Sequence, residues 1–358
     1  MIFSMKKLNV AIIGQGRSGR NIHGAFFQSD MNKLYNVVAI VDALEDRRER
    51  AKEEFKCDVY ESHKQLYGRK DIDLVVNASY SHMHYDVTMD LLTHGFNVVV
   101  EKPFCEREIE AEAMIAAAKE HNVMLCVFQQ SHFAPYYRRI REIMDSGVLG
   151  RIIQISIHFS GYGRRWDWQV SQRYCGGHLR NTGPHPLEQA LDILDCDKLP
   201  AIHSRLDSVN SFGDAEDYAK VLMLAPGKPV IDIEISSSNA YSDFNYLIHG
   251  DRGTLKATLN HINYQYFKQE EAPEQHFTFD PIRKPDGTPA YCGEELKWYK
   301  VEEDLTGTAF DTAVQRYYEN IYNHLENGEE LVIKPEKIKQ MVALFEEVHR
   351  QNPMPIRF

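Results

Sequence analysis

The chain has 358 residues, 43% hydrophobic and 26% charged, the make-up of a globular protein with room for two cores. Its net charge of −11 excludes nucleic acid and anionic membrane surfaces as partners, since both reward a basic patch, and points to a small molecule. No apolar run reaches the roughly 20 residues of a membrane span, and the six cysteines lack a CxxC pair, which favours reduced thiols in a cytoplasmic protein.

At the start, Met1-Ile2-Phe3-Ser4-Met5-Lys6-Lys7 places its charges after the apolar residues, the reverse of a secretory leader. Leu8 to Ile13 is a strand ending in Gly14-Gln15-Gly16-Arg17-Ser18-Gly19, and a helix from Arg20 to Gln28 follows. Glycines spaced G-x-G-x-x-G allow a tight turn and close approach of backbone to a pyrophosphate. The helix start then offers unpaired N–H groups to the phosphates. A second strand, Tyr35 to Val41, ends at Asp42, about 20 residues beyond the glycines as a dinucleotide site requires. A carboxylate there accepts from a ribose diol and repels a 2′-phosphate, so NAD is expected. Arg47 and Arg48 are suited to a 2′-phosphate and keep NADP open as the second choice.

Helices and strands go on alternating: helix Asp46 to Phe55, strands at Asp58 to Tyr60 and Leu74 to Ala78, and helix His84 to Thr93. Ser79-Tyr80-Ser81-His82-Met83-His84 follows the fourth strand, beside the expected cleft. Ser79, Tyr80 and His84 are cofactor-side candidates, and an H-x-H this short of carboxylates is not read as a metal site. Val98-Val99-Val100 is a strand buried on both faces, as in parallel sheets, and Glu101-Lys102-Pro103-Phe104 follows directly. A lysine at that end of a strand is a candidate site residue. Glu101 and Gln130, after the fifth and sixth strands, belong to the cofactor side of the same cleft. A helix Glu106 to Glu120 and a strand Val123 to Phe128 complete a doubly wound parallel Rossmann sheet over residues 1–130.

Beyond residue 130 the pattern changes. A helix Tyr136 to Asp145 precedes an alternating strand, Arg151 to Ser160, and then a polar, aromatic loop from Tyr162 to Gly177 that holds Trp166 and Trp168. Asn181-Thr182-Gly183-Pro184-His185-Pro186 leads into a helix, Leu187 to Asp195. Strand-like runs at 201–208, 220–224, 230–236 and 244–249, separated by turns, predict a mainly antiparallel sheet. A polar excursion, Gln269 to Lys297, comes before closing helices Thr308 to Asn327 and Pro335 to Gln351. Residues 131–358 are thus expected to form a second, α+β domain.

A nicotinamide fold with a second α+β domain calls for hydride transfer at a carbon bearing oxygen. Lys102 is suited to holding that oxygen, and His185 is a natural acid/base, titrating near neutral pH. The run Gly14 to Gly19, then Glu101-Lys102-Pro103, then Gly176-Gly177 and Gly183-x-His185, resembles the Gfo/Idh/MocA oxidoreductases. The resemblance implies oxidation or reduction of sugars, cyclitols or their derivatives with NAD(H) or NADP(H), in a homodimer or homotetramer. It also implies that the second, mainly antiparallel sheet is large and open, and it assigns substrate binding and oligomerisation to residues 131–358. It casts Lys102 and His185 as catalytic. It also puts Asn181 where many members have an acidic residue, so proton transfer falls to His185 or Lys102 while Asn181 positions a hydroxyl. Glu188 replaces a frequent Asp, Gln130 and His132 replace a frequent Asn and Arg, and Trp166 belongs to the loop that covers nicotinamide and sugar. Two other functions remain open: a dinucleotide- or sugar-binding regulator without turnover, and a glycoside-cleaving enzyme that uses transient oxidation.

Overall fold

The computed structural model describes residues 6–358, so the reading of Met1 to Met5 lies outside the described residues. Six strands make the first sheet: β1 (Leu8–Ile13), β2 (Tyr35–Val41), β3 (Asp58–Tyr60), β4 (Leu74–Asn77), β5 (Val98–Val100) and β6 (Leu125–Val127). They lie in the order β3-β2-β1-β4-β5-β6, every pair parallel. The crossover helices α2 (Glu45–Phe55), α3 (His84–Thr93) and α4 (Glu108–Glu120) follow β2, β4 and β5. Helices on both faces leave β4 and β5 no solvent side, which is why valines fill them and all are buried. Strand order reverses between β1 and β4, and ligands bind in open α/β sheets in the crevice beyond such a point. The glycine loop leaves β1 there, Ser79 leaves β4, and Lys102 leaves β5 through a cis Lys102–Pro103 bond.

Helix α5 (Pro135–Asp145) carries the chain to β7 (Ile152–Ser160), the long central strand of the second sheet. After the short α6 (His178–Asn181) and α7 (Pro184–Leu194) come β8 (Ala201–Asp207), β9 (Tyr218–Leu224), β10 (Val230–Ser236), β11 (Tyr246–Gly250), β12 (Gly253–Ala257), β13 (His261–Tyr266) and β14 (Tyr299–Asp304). Their order is β14-β13-β12-β11-β7-β10-β9-β8, with one parallel pair, β10 on β7, and the rest antiparallel. Alternate residues turn inward, as with Ala219, Val221 and Met223 of β9, while Lys220, Leu222 and Leu224 stay half-buried on the outer side.

Helices α8 (Thr312–Asn327) and α9 (Pro335–Gln351) then return to the first sheet. Tyr318 of α8 stacks on Phe26 at 5.0 Å, and the Tyr35 hydroxyl donates to its carbonyl at 2.7 Å. Helix α8, although it follows the second sheet in the chain, buries its Tyr318 against Tyr35 of β2 and Phe128. The segment expected as one helix from Arg20 begins instead as a wide π turn (Gly19–Gly24) and continues as α1 (Ala25–Gln28). Between β13 and β14 the excursion stays irregular and outward, with Phe277 85% and Tyr291 100% exposed.

Candidate active site

Two of the three loop glycines are fixed by the protein itself. A Cβ on Gly14 (φ +90°) would lie 2.2 Å from the Ala78 carbonyl oxygen, and one on Gly19 would lie 1.8 Å from the Gly14 carbonyl oxygen. Gly16 differs: nothing but the Arg47 guanidinium, at 4.0 Å, comes near a Cβ placed there. Its bare backbone therefore faces open space in front of a helix start, the cradle a pyrophosphate needs, and the residues present fit a dinucleotide. Asp42 stands at the tip of β2 with its carboxylate fixed by backbone donors, Gln15 N–H to Oδ2 at 2.7 Å and Leu44 N–H to Oδ1 at 2.9 Å. Arg47 approaches Oδ2 at 3.4 Å, while Arg48 donates to the Asp42 carbonyl at 2.9 Å. We expect Gly16→Val to weaken NAD binding tenfold or more, about 1.4 kcal/mol, by filling the cradle without touching the packing. Gly19→Ala should instead lower the melting temperature. Calorimetry of binding and of unfolding reads both.

Past β5, the Lys102 Nζ donates to the Asn181 carbonyl at 2.8 Å and lies 3.3 Å from its Oδ1. Burial lowers the pKa of this ammonium; Glu101 opposes that, and Arg17 and Arg165 add to it. A buried lysine so placed gives up its proton more readily than a solvated one. Glu101 is itself buried, and its carboxylate accepts from the Lys102 N–H at 3.0 Å. Asn181, at the end of α6, also accepts from Gln169 at 3.4 Å, and Arg165 donates to Gln169. The loop before α6 thus reaches Lys102 through one amide.

His185 sits in the first turn of α7, whose start is preset by Pro184. Its Nδ1 is 2.9 Å from the Ser131 hydroxyl, and Nε2 has no hydrogen-bond partner among the described residues. Burial pushes its pKa down to about 3, and the charge of Lys102 adds to the fall, so the ring is neutral at ordinary pH. Lys102 and His185, far apart in the chain, therefore lie near enough for the charge of one to act on the other. One turn along α7, Glu188 meets His132 Nδ1 at 2.8 Å with its Oε2 unpartnered. Gln130, after β6, is likewise buried with Oε1 unpartnered.

The remaining candidates divide. Ser79 turns back to Asn77 Oδ1 at 2.7 Å, and Tyr80 is half exposed. His84 is buried behind it, 2.7 Å from the Pro103 carbonyl and 3.2 Å from that of Ser79. Burial lowers its pKa, and the neutral ring has one N–H, which the nearer Pro103 carbonyl accepts, fastening the start of α3 to the loop after β5. Trp166 is 79% exposed, whereas Trp168 packs edge-on against Tyr80 at 5.1 Å. Sequence reasoning passed over Gln169, Ser131 and His23, the last 3.1 Å from Glu101. Ser131 carried a signal, lying between the two singled-out residues Gln130 and His132. Among the described residues no cluster of three or more His, Cys, Asp or Glu is arranged for a metal, and no helix is long and apolar enough to cross a membrane.

Known proteins resemble this chain in sequence and in fold. A scyllo-inositol 2-dehydrogenase (NADP(+)) of Bacillus subtilis is 25% identical, over 83% of this chain and 86% of its own. A 2,7-anhydro-N-acetylneuraminate hydratase of Mediterraneibacter gnavus is 22% identical, over 82% of this chain and 78% of its own. The solved structure of an NAD-binding protein from Listeria innocua superposes with a TM-score of 0.79 at 21% identity, covering 97% of each chain, which establishes the shared fold. The profile of the oxidoreductase family with NAD-binding Rossmann fold matches residues 8–129, and that of the GFO/IDH/MocA C-terminal domain matches residues 137–256. These two domains, in this order and over most of its length, make the chain a member of the Gfo/Idh/MocA family of NAD-binding oxidoreductases.

Proposed function

We propose that the protein is an NAD-dependent dehydrogenase acting on a hydroxyl-bearing carbon of a sugar, cyclitol or sugar derivative. The observation that carries this reading is the Lys102 ammonium held on Asn181 beyond the end of β5, with His185 of α7 near enough to feel its charge. Gly14 to Gly19 and Asp42 would hold NAD, which would supply the hydride acceptor or donor. Lys102 holds the reacting oxygen: Asn181 fixes its ammonium, and its lowered pKa lets Nζ take up or return the hydroxyl proton. His185, neutral and anchored at Nδ1 by Ser131, offers Nε2 as the second proton carrier. Asn181 cannot accept a proton, so it orients rather than relays. Trp168, packed edge-on against Tyr80, would cover one side of the bound substrate. Six free cysteines support a reducing, cytoplasmic setting, and the half-buried outer leucines of β9 support a homo-oligomer.

The test is a panel of cyclitols and hexoses with NAD or NADP, followed by absorbance of reduced nicotinamide. Turnover of at least one polyol is expected. Tight cofactor binding with no turnover on any of them would favour the regulatory alternative. For cofactor choice, Asp42→Ala should narrow the ratio of kcat/KM for NAD over NADP about tenfold, since it removes one charge facing a 2′-phosphate. An unchanged ratio would refute that role for Asp42.

A further inference from the structure

We infer that His23, clamped between the Tyr318 hydroxyl and the Glu101 carboxylate, is a positioning residue that holds Glu101 as a fixed anion beside Lys102. This inference rests on the reading that Lys102 works in proton transfer. His23 is 0% exposed, its Nδ1 lying 2.6 Å from Tyr318 Oη and its Nε2 3.1 Å from Glu101 Oε1. With the Tyr318 O–H donating to Nδ1, Nε2–H is left to donate to the carboxylate. Phe128 covers the ring at 4.3 Å, so no water competes. The other carboxylate oxygen, Oε2, takes the Lys102 N–H. Both oxygens of Glu101 therefore have fixed donors, and the group can neither rotate nor drift from Lys102.

The backbone explains how His23 gets there. It lies in the π turn Gly19–Gly24, and such wide turns are commonly found at functional sites. One short segment thus carries the phosphate-facing loop at one end and the imidazole at the other. The Tyr318 contact comes from α8, 295 residues further along, so the last third of the chain braces the site from behind.

Electrostatics give the clamp a purpose. Burial alone would raise the Glu101 carboxyl, yet the His23 hydrogen bond and the positive charge of Lys102 hold it below the usual carboxylate range. Glu101 on its own strand end, Arg17 from the glycine loop and Arg165 from the loop before α6 act on the Lys102 ammonium, with His185 of α7 nearby. Glu101 is the sole anion of that set. Without a fixed carboxylate, two arginines and burial would drive the Lys102 proton off at lower pH.

The experiment reads Lys102 directly and needs no substrate. Lysines are reductively methylated with ¹³C-formaldehyde, the Lys102 signal is assigned by its loss in Lys102→Arg, and its titration is followed by NMR. Glu101→Gln, equal in size, should lower the midpoint by about one unit or more. His23→Leu should lower it similarly, and His23→Gln, whose amide can bond both Tyr318 and Glu101, should restore it. If His23→Leu does not fold, His23→Asn, too short to reach both partners, takes its place with the same expectation. A wild-type midpoint in Glu101→Gln, or a fall there that is absent in the His23 variants, overturns the inference. Failure of Lys102→Ala to reduce polyol turnover would instead overturn the functional reading, and the two failures are separately visible.

Discussion

Lys102→Ala will reduce kcat for polyol oxidation by about 10²–10⁴-fold, the range that a positioned proton-transfer group contributes. NAD affinity should stay within a few-fold, because on the proposed reading the glycine loop and Asp42 would hold the cofactor without Nζ. The side chain's own bonds run to Asn181, so its removal costs the fold little beyond one carbonyl left to water. Lys102→Arg should not rescue the loss: a guanidinium keeps its proton and its planar fork cannot reproduce a single ammonium contact at 2.8 Å. Steady-state kinetics with circular dichroism on each variant checks the expectation. Retained activity in Lys102→Ala would remove this lysine from the mechanism.

His185→Gln will lower kcat by about 10²-fold and will also change how stability depends on pH. The folded-state pKa is depressed from the ordinary 6.5 to about 3 by burial and by Lys102. Between those values the unfolded chain binds a proton at this histidine and the folded protein does not. Stability from this group is therefore complete above 6.5 and drains away as pH falls toward 3. Urea titrations at about pH 7 and about pH 5 should show a smaller acid loss in His185→Gln than in the wild type. Equal losses would mean that the imidazole is not buried neutral in solution.

The parts of the site that lie within one stretch of chain were legible beforehand. The three glycines, Asp42 at the tip of β2 and Lys102 after three buried valines follow from local rules about turns, strand ends and parallel sheets. Strands β12 to β14 were not legible: β14 carries four charged residues and lies at the sheet edge, where only one side of the ladder is paired. Contacts across long separations were hidden for a different reason. His23 meets Glu101 78 residues away and Tyr318 295 residues away, and neither pairing leaves a periodic trace. The loop tryptophans show the limit of composition: Trp166 and Trp168 are equivalent as letters, and only the turn at Asp167, capping Gln169 N–H, decides which one packs on Tyr80.

The central claim is that Lys102 and His185 serve one hydride-transfer site. It is tested most directly by incubating the protein with NAD and polyols deuterated at the ring carbons, then weighing the recovered cofactor by mass spectrometry. The account predicts deuterium on the reduced nicotinamide for the wild type, and its loss in Lys102→Ala and His185→Gln. A folded wild type that binds NAD and a polyol together, yet moves no label, would contradict it.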